Sequence, residues 1–198
     1  MKILIISSPR CGSTKLTESL AKVFDLKQYH EPYNKFWGSK YFKKDWNFFE
    51  DNCIVKLMSY EKGPEYQGTS LEFLLELSNQ FDKVIFLDRK NFQAQLESYS
   101  FMRQHRYSGD WQSPYIYNKN TDLNVDNYYL SVLKDNVNYL ANQLDKKITY
   151  YEDIYSDNPE LVESTLIKSD IIVKYKDLLP YISTKNKLRL SEKDISLI

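Results

Sequence analysis

The chain has 198 residues, with 27 Lys+Arg balanced by 27 Asp+Glu, enough for one sizeable core and read as one domain over 1–198. A formal charge of zero argues against general binding to nucleic acid or to a membrane surface, and no apolar stretch reaches transmembrane length. The two cysteines, Cys11 and Cys53, form neither a disulfide framework nor a metal-ligand spacing, which points to a reducing, cytoplasmic setting.

Residues 2–8, Lys-Ile-Leu-Ile-Ile-Ser-Ser, predict a short buried strand. This apolar run breaks at Ser7-Ser8-Pro9 and is too short for a signal peptide. Pro9-Arg10-Cys11-Gly12-Ser13-Thr14-Lys15 follows as a tight turn, and Leu16, Leu20, Val23 and Phe24 then recur at helical spacing. A strand running through a small-residue turn into a helix builds an anion site. The first helical N–H groups have no intrahelical partner, and the helix dipole adds partial positive charge at the same place. Gly12 allows close backbone approach, Ser13 and Thr14 offer hydroxyls, and Arg10 and Lys15 add charge, so the expected ligand is a phosphate or phosphosulfate. The turn is not a Walker A loop, because Gly12 is the only glycine between Met1 and Trp37. An ordinary α/β turn with incidental polar residues is the plainer alternative.

Residues 25–50 read as aromatic and irregular. Within them lies His30-Glu31-Pro32-Tyr33-Asn34, where Pro32 disfavours helical geometry for Glu31 and predicts an extended loop. His30 beside it has the unperturbed pKa nearer neutrality. Residues 53–59 predict a second strand interrupted by Lys56, which either snorkels at an edge or points into a site. After turn signals at Gly63-Pro64 and Gly68, Thr69-Ser70-Leu71-Glu72 forms a capping box opening a packing helix to about Phe81. Residues 83–89, Lys-Val-Ile-Phe-Leu-Asp-Arg, predict a third strand, with a helix following through Phe92, Leu96 and Tyr99. Residues 103–115 read as a loop containing Trp111. A long helix is expected over 122–144, its stripe of Val125, Tyr129, Val132, Leu133, Val137, Leu140 and Leu144 assigned to the core. Residues 148–154 predict a further strand and turn, and the Lys- and Ser-rich tail from 184 has little periodicity.

Several of these segments resemble, in family order, the PAPS-dependent sulfotransferases. Pro9-Arg10-Cys11-Gly12-Ser13-Thr14 is similar to their 5′-phosphosulfate loop. Glu31-Pro32-Tyr33 resembles a segment of the carbohydrate-sulfating branch whose glutamate is the general base, with His30 here as the rival. The Val-Ile-Phe-Leu-Asp-Arg strand resembles the one whose arginine, with a helical serine, grips the 3′-phosphate. Arg89, Lys90, Gln95 and Ser98 match the spacing of a bacterial branch that includes trehalose sulfotransferase, with Ser100 as the fallback serine. Ser108-Gly109-Asp110-Trp111 resembles a segment of that branch expected to line the acceptor pocket, and Tyr151-Glu152-Asp153-Ile154 resembles a late Tyr-Glu-Asp-Leu segment.

The resemblance implies an α/β fold, a three-layer sandwich with a mostly parallel central sheet, of the P-loop-like sulfotransferase type. It implies sulfuryl transfer from PAPS, leaving PAP, to a hydroxyl of a carbohydrate or other small molecule. The implied cofactor-binding residues are Arg10, Cys11, Gly12, Ser13, Thr14, Lys15, Arg89 and Ser98. The catalytic set is Glu31, Lys15, Arg10 and, as the second candidate base, His30, with no metal required. A P-loop-type small-molecule kinase and a non-catalytic nucleotide-binding module are the alternatives.

Overall fold

The computed structural model describes residues 1–34, 49–64, 66–108 and 123–182. The first apolar run is strand β1 (Lys2–Ser7), and after the turn comes helix α1 (Ser13–Val23). Strands β2 (Lys27–His30), β3 (Cys53–Met58), β4 (Lys83–Asp88) and β5 (Ile148–Tyr150) complete one sheet in the order β2-β3-β1-β4-β5. Every pairing is parallel. Such sheets are covered on both faces, which is why β1, β3 and β4 read as nearly continuous apolar runs.

One face of the sheet (Ile3, Ile5, Ile54, Ile85, Leu87) packs on α1, α5 (Tyr151–Ile154), α6 (Pro159–Ile167) and α7 (Tyr175–Ile182). The other (Leu4, Ile6, Val55, Leu57, Phe86) packs on α2 (Ser70–Ser78) and α4 (Leu123–Gln143). The fold is the expected three-layer α/β sandwich. Its helix starts follow local rules: the Thr69–Glu72 capping box opens α2, while Asn158 caps the start of α6 with a proline in the first turn. Among the described residues no helix is long and apolar enough to cross a membrane.

Four local expectations change. Residues 27–30 are a strand, formed because β2 pairs with β3 from Lys27↔Cys53 to His30↔Lys56. Glu31 directly after it is left-handed (φ 44°), not extended. Helix α3 (Phe92–Ser108) continues through residues 103–108, which were expected to be loop. In α4 the stripe is only half core. Val137 and Leu140 are buried, but Val125 (42% exposed), Tyr129 (52%) and Val132 (38%) face outward. The ion pair of Asp126 with Arg103 of α3 turns the neighbouring face, with Leu130, inward instead. Trp111, the aromatic 36–48 stretch and the tail from 184 lie outside the described residues.

Because all five strands run the same way, their C-terminal ends share one edge of the sheet. Along it stand Glu31 after β2, Ser59 to Glu61 after β3, Ser8 to Gly12 after β1, Arg89 after β4 and Tyr151 after β5. The connection after β1 runs toward β2 and that after its neighbour β4 toward β5, so the direction reverses between β1 and β4, the usual position of a ligand crevice in open α/β sheets.

Candidate functional site

The turn after β1 has a tightly determined backbone. Arg10 (φ 61°) and Gly12 (φ 78°) are both left-handed, a geometry in which successive N–H groups turn toward one concave side. For Arg10, which has a Cβ, this costs about 1–2 kcal/mol. The surroundings impose it. Gln95 Nε2 donates to Pro9 O (2.7 Å) and to Ser8 Oγ (2.8 Å), and the Cys11 thiol donates to Ser8 O (2.9 Å). Tyr155 OH donates to Gly12 O (2.7 Å), and a Cβ on Gly12 would stand 2.7 Å from ring carbons of both Tyr151 and Tyr155. Only glycine fits there. The first α-helical bond of α1 runs from Leu16 N to Gly12 O (3.1 Å), so the amides of Ser13, Thr14 and Lys15 precede the regular ladder.

A polar cluster locks this turn to β4, α3 and α4. Ser8 Oγ donates to Asp88 Oδ1 (2.5 Å), while Lys134 Nζ donates to Asp88 Oδ2 (2.7 Å), Arg89 O (2.8 Å) and Gln95 Oε1 (3.0 Å). Gln95 and Ser8 are fully buried, so each bond avoids the desolvation penalty of an unmade one.

The two segments expected to hold the nucleotide's phosphates are joined directly: Arg10 Nε donates to Ser98 Oγ (2.8 Å). Arg10 thus belongs as much to the α3 serine as to the turn. The Arg89 guanidinium lies over Tyr151 (4.8 Å to the ring centroid), with Nε 3.6 Å from Glu152 Oε1 and without a hydrogen-bond partner among the described residues. Glu152 also accepts from the amides of Lys90 (2.9 Å) and Asn91 (3.1 Å), capping α3 and aiming Arg89. Burial raises the Glu152 carboxyl, but these amides and Arg89 outweigh it and hold the group below its ordinary range. Ser100, the fallback serine, is fully buried with no partner for its hydroxyl among the described residues.

Within the turn, Thr14 is exposed, Lys15 is half-buried and the Ser13 side chain is buried. The Cys11 side chain faces the core, so its contribution to a ligand is limited to the backbone. Burial first, and the Asp88 charge second, push its thiol up, so it is no nucleophilic thiolate at neutral pH.

Glu31 is neither solvated nor alone. It is 5% exposed and ion-paired with Lys56, itself 3% exposed, and accepts from Asn34 Nδ2 (2.8 Å). Lys56 sits opposite His30 in the sheet register and continues the row of Ile54 toward α1. It is a site lysine, not an edge one. Glu31 N donates to Lys56 O (2.9 Å) and Asn34 N to Glu31 O (3.0 Å), which fixes the left-handed turn at Glu31. Burial pushes the Glu31 carboxyl up, but the Lys56 charge and the Lys56 and Asn34 hydrogen bonds outweigh it, so Glu31 is held ionised. His30 Nε2 lies 3.7 Å from Glu31 Oε1, and burial and Lys56 depress its pKa, leaving it neutral. Lys56 also lies within electrostatic reach of Cys11, which links this cluster to the turn.

Two participants carry no motif. Glu61 is buried three residues after β3, and Lys134 reaches in from the middle of α4. A glutamate two residues before Gly63 reads as loop, and a lysine in a polar helix reads as surface. No family model matches the chain, and no curated protein matches it.

Proposed function

We propose that this protein is a PAPS-dependent sulfotransferase acting on a hydroxyl of a carbohydrate or another small hydroxylated molecule. The observation that carries the reading is the 2.8 Å bond from Arg10 Nε to Ser98 Oγ, since it unites the phosphosulfate-type turn with the serine helix at the sheet's switch point. Arg89 fits a second anion: its buried Nε makes no hydrogen bond among the described residues, and its guanidinium is oriented by Tyr151 and Glu152. A cytoplasmic setting accords with two free cysteines.

Bound PAPS supplies the sulfuryl group and a 5′-phosphate leaving group. The residues of the chain supply the rest. The amides opening α1, with Arg10 and Lys15, offset the negative charge that grows on the leaving phosphate. Arg89 and Ser98 read the 3′-phosphate and hold the donor in line. Glu31, kept ionised by Lys56, takes the acceptor's proton as its oxygen attacks sulfur. His30 is neutral and stays the second candidate for that role.

The test is ligand-induced stabilisation. PAP or PAPS should raise the melting temperature more than ATP or ADP at matched concentration, because ATP lacks the 3′-phosphate. A larger shift with ATP would favour a kinase. A PAP shift without turnover on a broad acceptor panel would favour a nucleotide-binding module.

A further inference from the structure

Glu61 is 4% exposed, and neither of its carboxyl oxygens has a hydrogen-bond partner among the described residues. Its own amide donates to Met58 O (3.0 Å), which folds the chain back just past β3 and holds the side chain inside. Among the described residues, the charged groups within electrostatic reach of it are Glu31 from the end of β2 and Lys56 from β3, with His30 Nε2 3.7 Å from Glu31 Oε1. Two carboxyls and one lysine therefore lie within electrostatic reach of one another in a buried space, and only Glu31 is paired with the lysine. Lys56 is already paired with Glu31, so a second carboxylate there would be uncompensated, and burying such a charge is far more costly than burying the neutral acid.

We propose that Glu31, Lys56 and Glu61 form a proton-holding cluster, in which Glu61 is a neutral carboxylic acid and Glu31 the carboxylate, and that Glu61 restores charge balance when Glu31 takes up a proton. Burial, then the Glu31 charge, push the Glu61 carboxyl well above its ordinary range, in keeping with this assignment. The role in turnover rests on the sulfotransferase reading. As the acceptor O–H bond breaks and the oxygen bonds to sulfur, the proton goes to Glu31 and the sulfur–oxygen bond to the leaving phosphate breaks with its electron pair. Lys56 has then lost its counter-ion. Glu61 releases its proton to water and becomes that counter-ion, so the cluster returns to zero net charge. Transfer of the proton from Glu31 to Glu61 resets it. Glu61 is thus a positioning residue acting through Lys56 and Glu31, and the two carboxyls titrate as a pair.

Infrared spectroscopy of the whole chain tests the proton directly. At neutral pH the C=O stretch of a protonated carboxyl should be present in the wild type, persist in Glu31→Gln and be lost in Glu61→Gln. Absence of that band in the wild type, or its survival in Glu61→Gln, overturns the assignment. Melting temperature against pH gives a second arm. A group with its folded-state pKa raised contributes stability that is lost as pH rises above its unfolded value. The advantage of Glu61→Gln over wild type should therefore grow from about pH 4 to about pH 7, and a flat or shrinking difference overturns it. With an acceptor in hand, Glu61→Gln should lower kcat roughly tenfold or more with the PAPS KM unchanged. Wild-type kcat in that variant refutes the balancing role. Failure of the wild type to turn over any acceptor strikes the sulfotransferase reading, while the infrared band still decides where the proton sits.

Discussion

Replacing Gly12 by alanine probes the most constrained point of the site. Three costs can be read from the geometry. Alanine at φ 78° costs about 1–2 kcal/mol relative to glycine. Its Cβ would meet Tyr151 Cδ2 and Tyr155 Cε2 at 2.7 Å, so at least one ring must move, and such overpacking costs about 1–3 kcal/mol. A shift of Tyr155 also breaks its 2.7 Å bond to Gly12 O, worth roughly 1 kcal/mol. The sum is about 3–6 kcal/mol. At about 2–4 °C per kcal/mol for a chain of this size, the melting temperature should fall by roughly 6–24 °C. The stabilisation by PAP should vanish, since the same shift moves the amides at the start of α1. Tyr155→Phe alone should cost only about 1 kcal/mol, the hydrogen bond without the clash. In the double variant the two losses should be less than additive, because Gly12→Ala has already displaced the phenol. A Gly12→Ala protein melting within about 2 °C of wild type, or strictly additive losses, would refute the reasoning.

Arg89→Ala should weaken PAP binding by about 1.5–3 kcal/mol in titration calorimetry while changing adenosine 5′-phosphosulfate far less; equal losses would mean that the guanidinium serves Tyr151 and Glu152 only. Glu31→Gln should lower kcat by about 10²–10⁴ with PAP affinity nearly intact. His30→Ala should cost little, and a loss as large as that of the glutamine variant would move the base to His30.

The strands and most helices were legible because they are local and periodic: the runs at Lys2–Ser7, Cys53–Met58 and Lys83–Asp88 could hardly be anything but buried parallel strands. β2 escaped because Lys27-Gln28-Tyr29-His30 has no apolar run; it is a strand only because β3 offers an open edge. The face of α4 was misjudged for a related reason. Apolar spacing there competes with a buried aspartate, and the Arg103 that pairs with Asp126 lies on another helix. In the site, Arg10, Gly12, Glu31 and Ser98 were recognisable from motif and spacing, and Gln95 was noticed as part of a pattern. Its work, holding Pro9 O and Ser8, is a contact between residues more than eighty positions apart. Glu61 and Lys134 belong to the same class, since nothing local distinguishes them from solvated residues.

On the proposed reading, the charge arrangement also bears on how a chain with no net charge would hold an anion. Several cations near the switch point are already met by a carboxylate: Lys56 by Glu31, Lys134 by Asp88 and Arg89 by Glu152. Their long-range fields are largely cancelled, while their positions are fixed. Attraction at the site therefore comes from directed donors acting at short range: the amides that open α1, the Arg10–Ser98 pair and the guanidinium lying on Tyr151. Such donors distinguish the placement of two phosphates on a small nucleotide better than they attract a polyanion, whose binding rests on many unneutralised lysines and arginines. If the proposed function holds, the carboxylates are part of the recognition, because each one that orients a cation also removes the field that would have drawn in the wrong ligand.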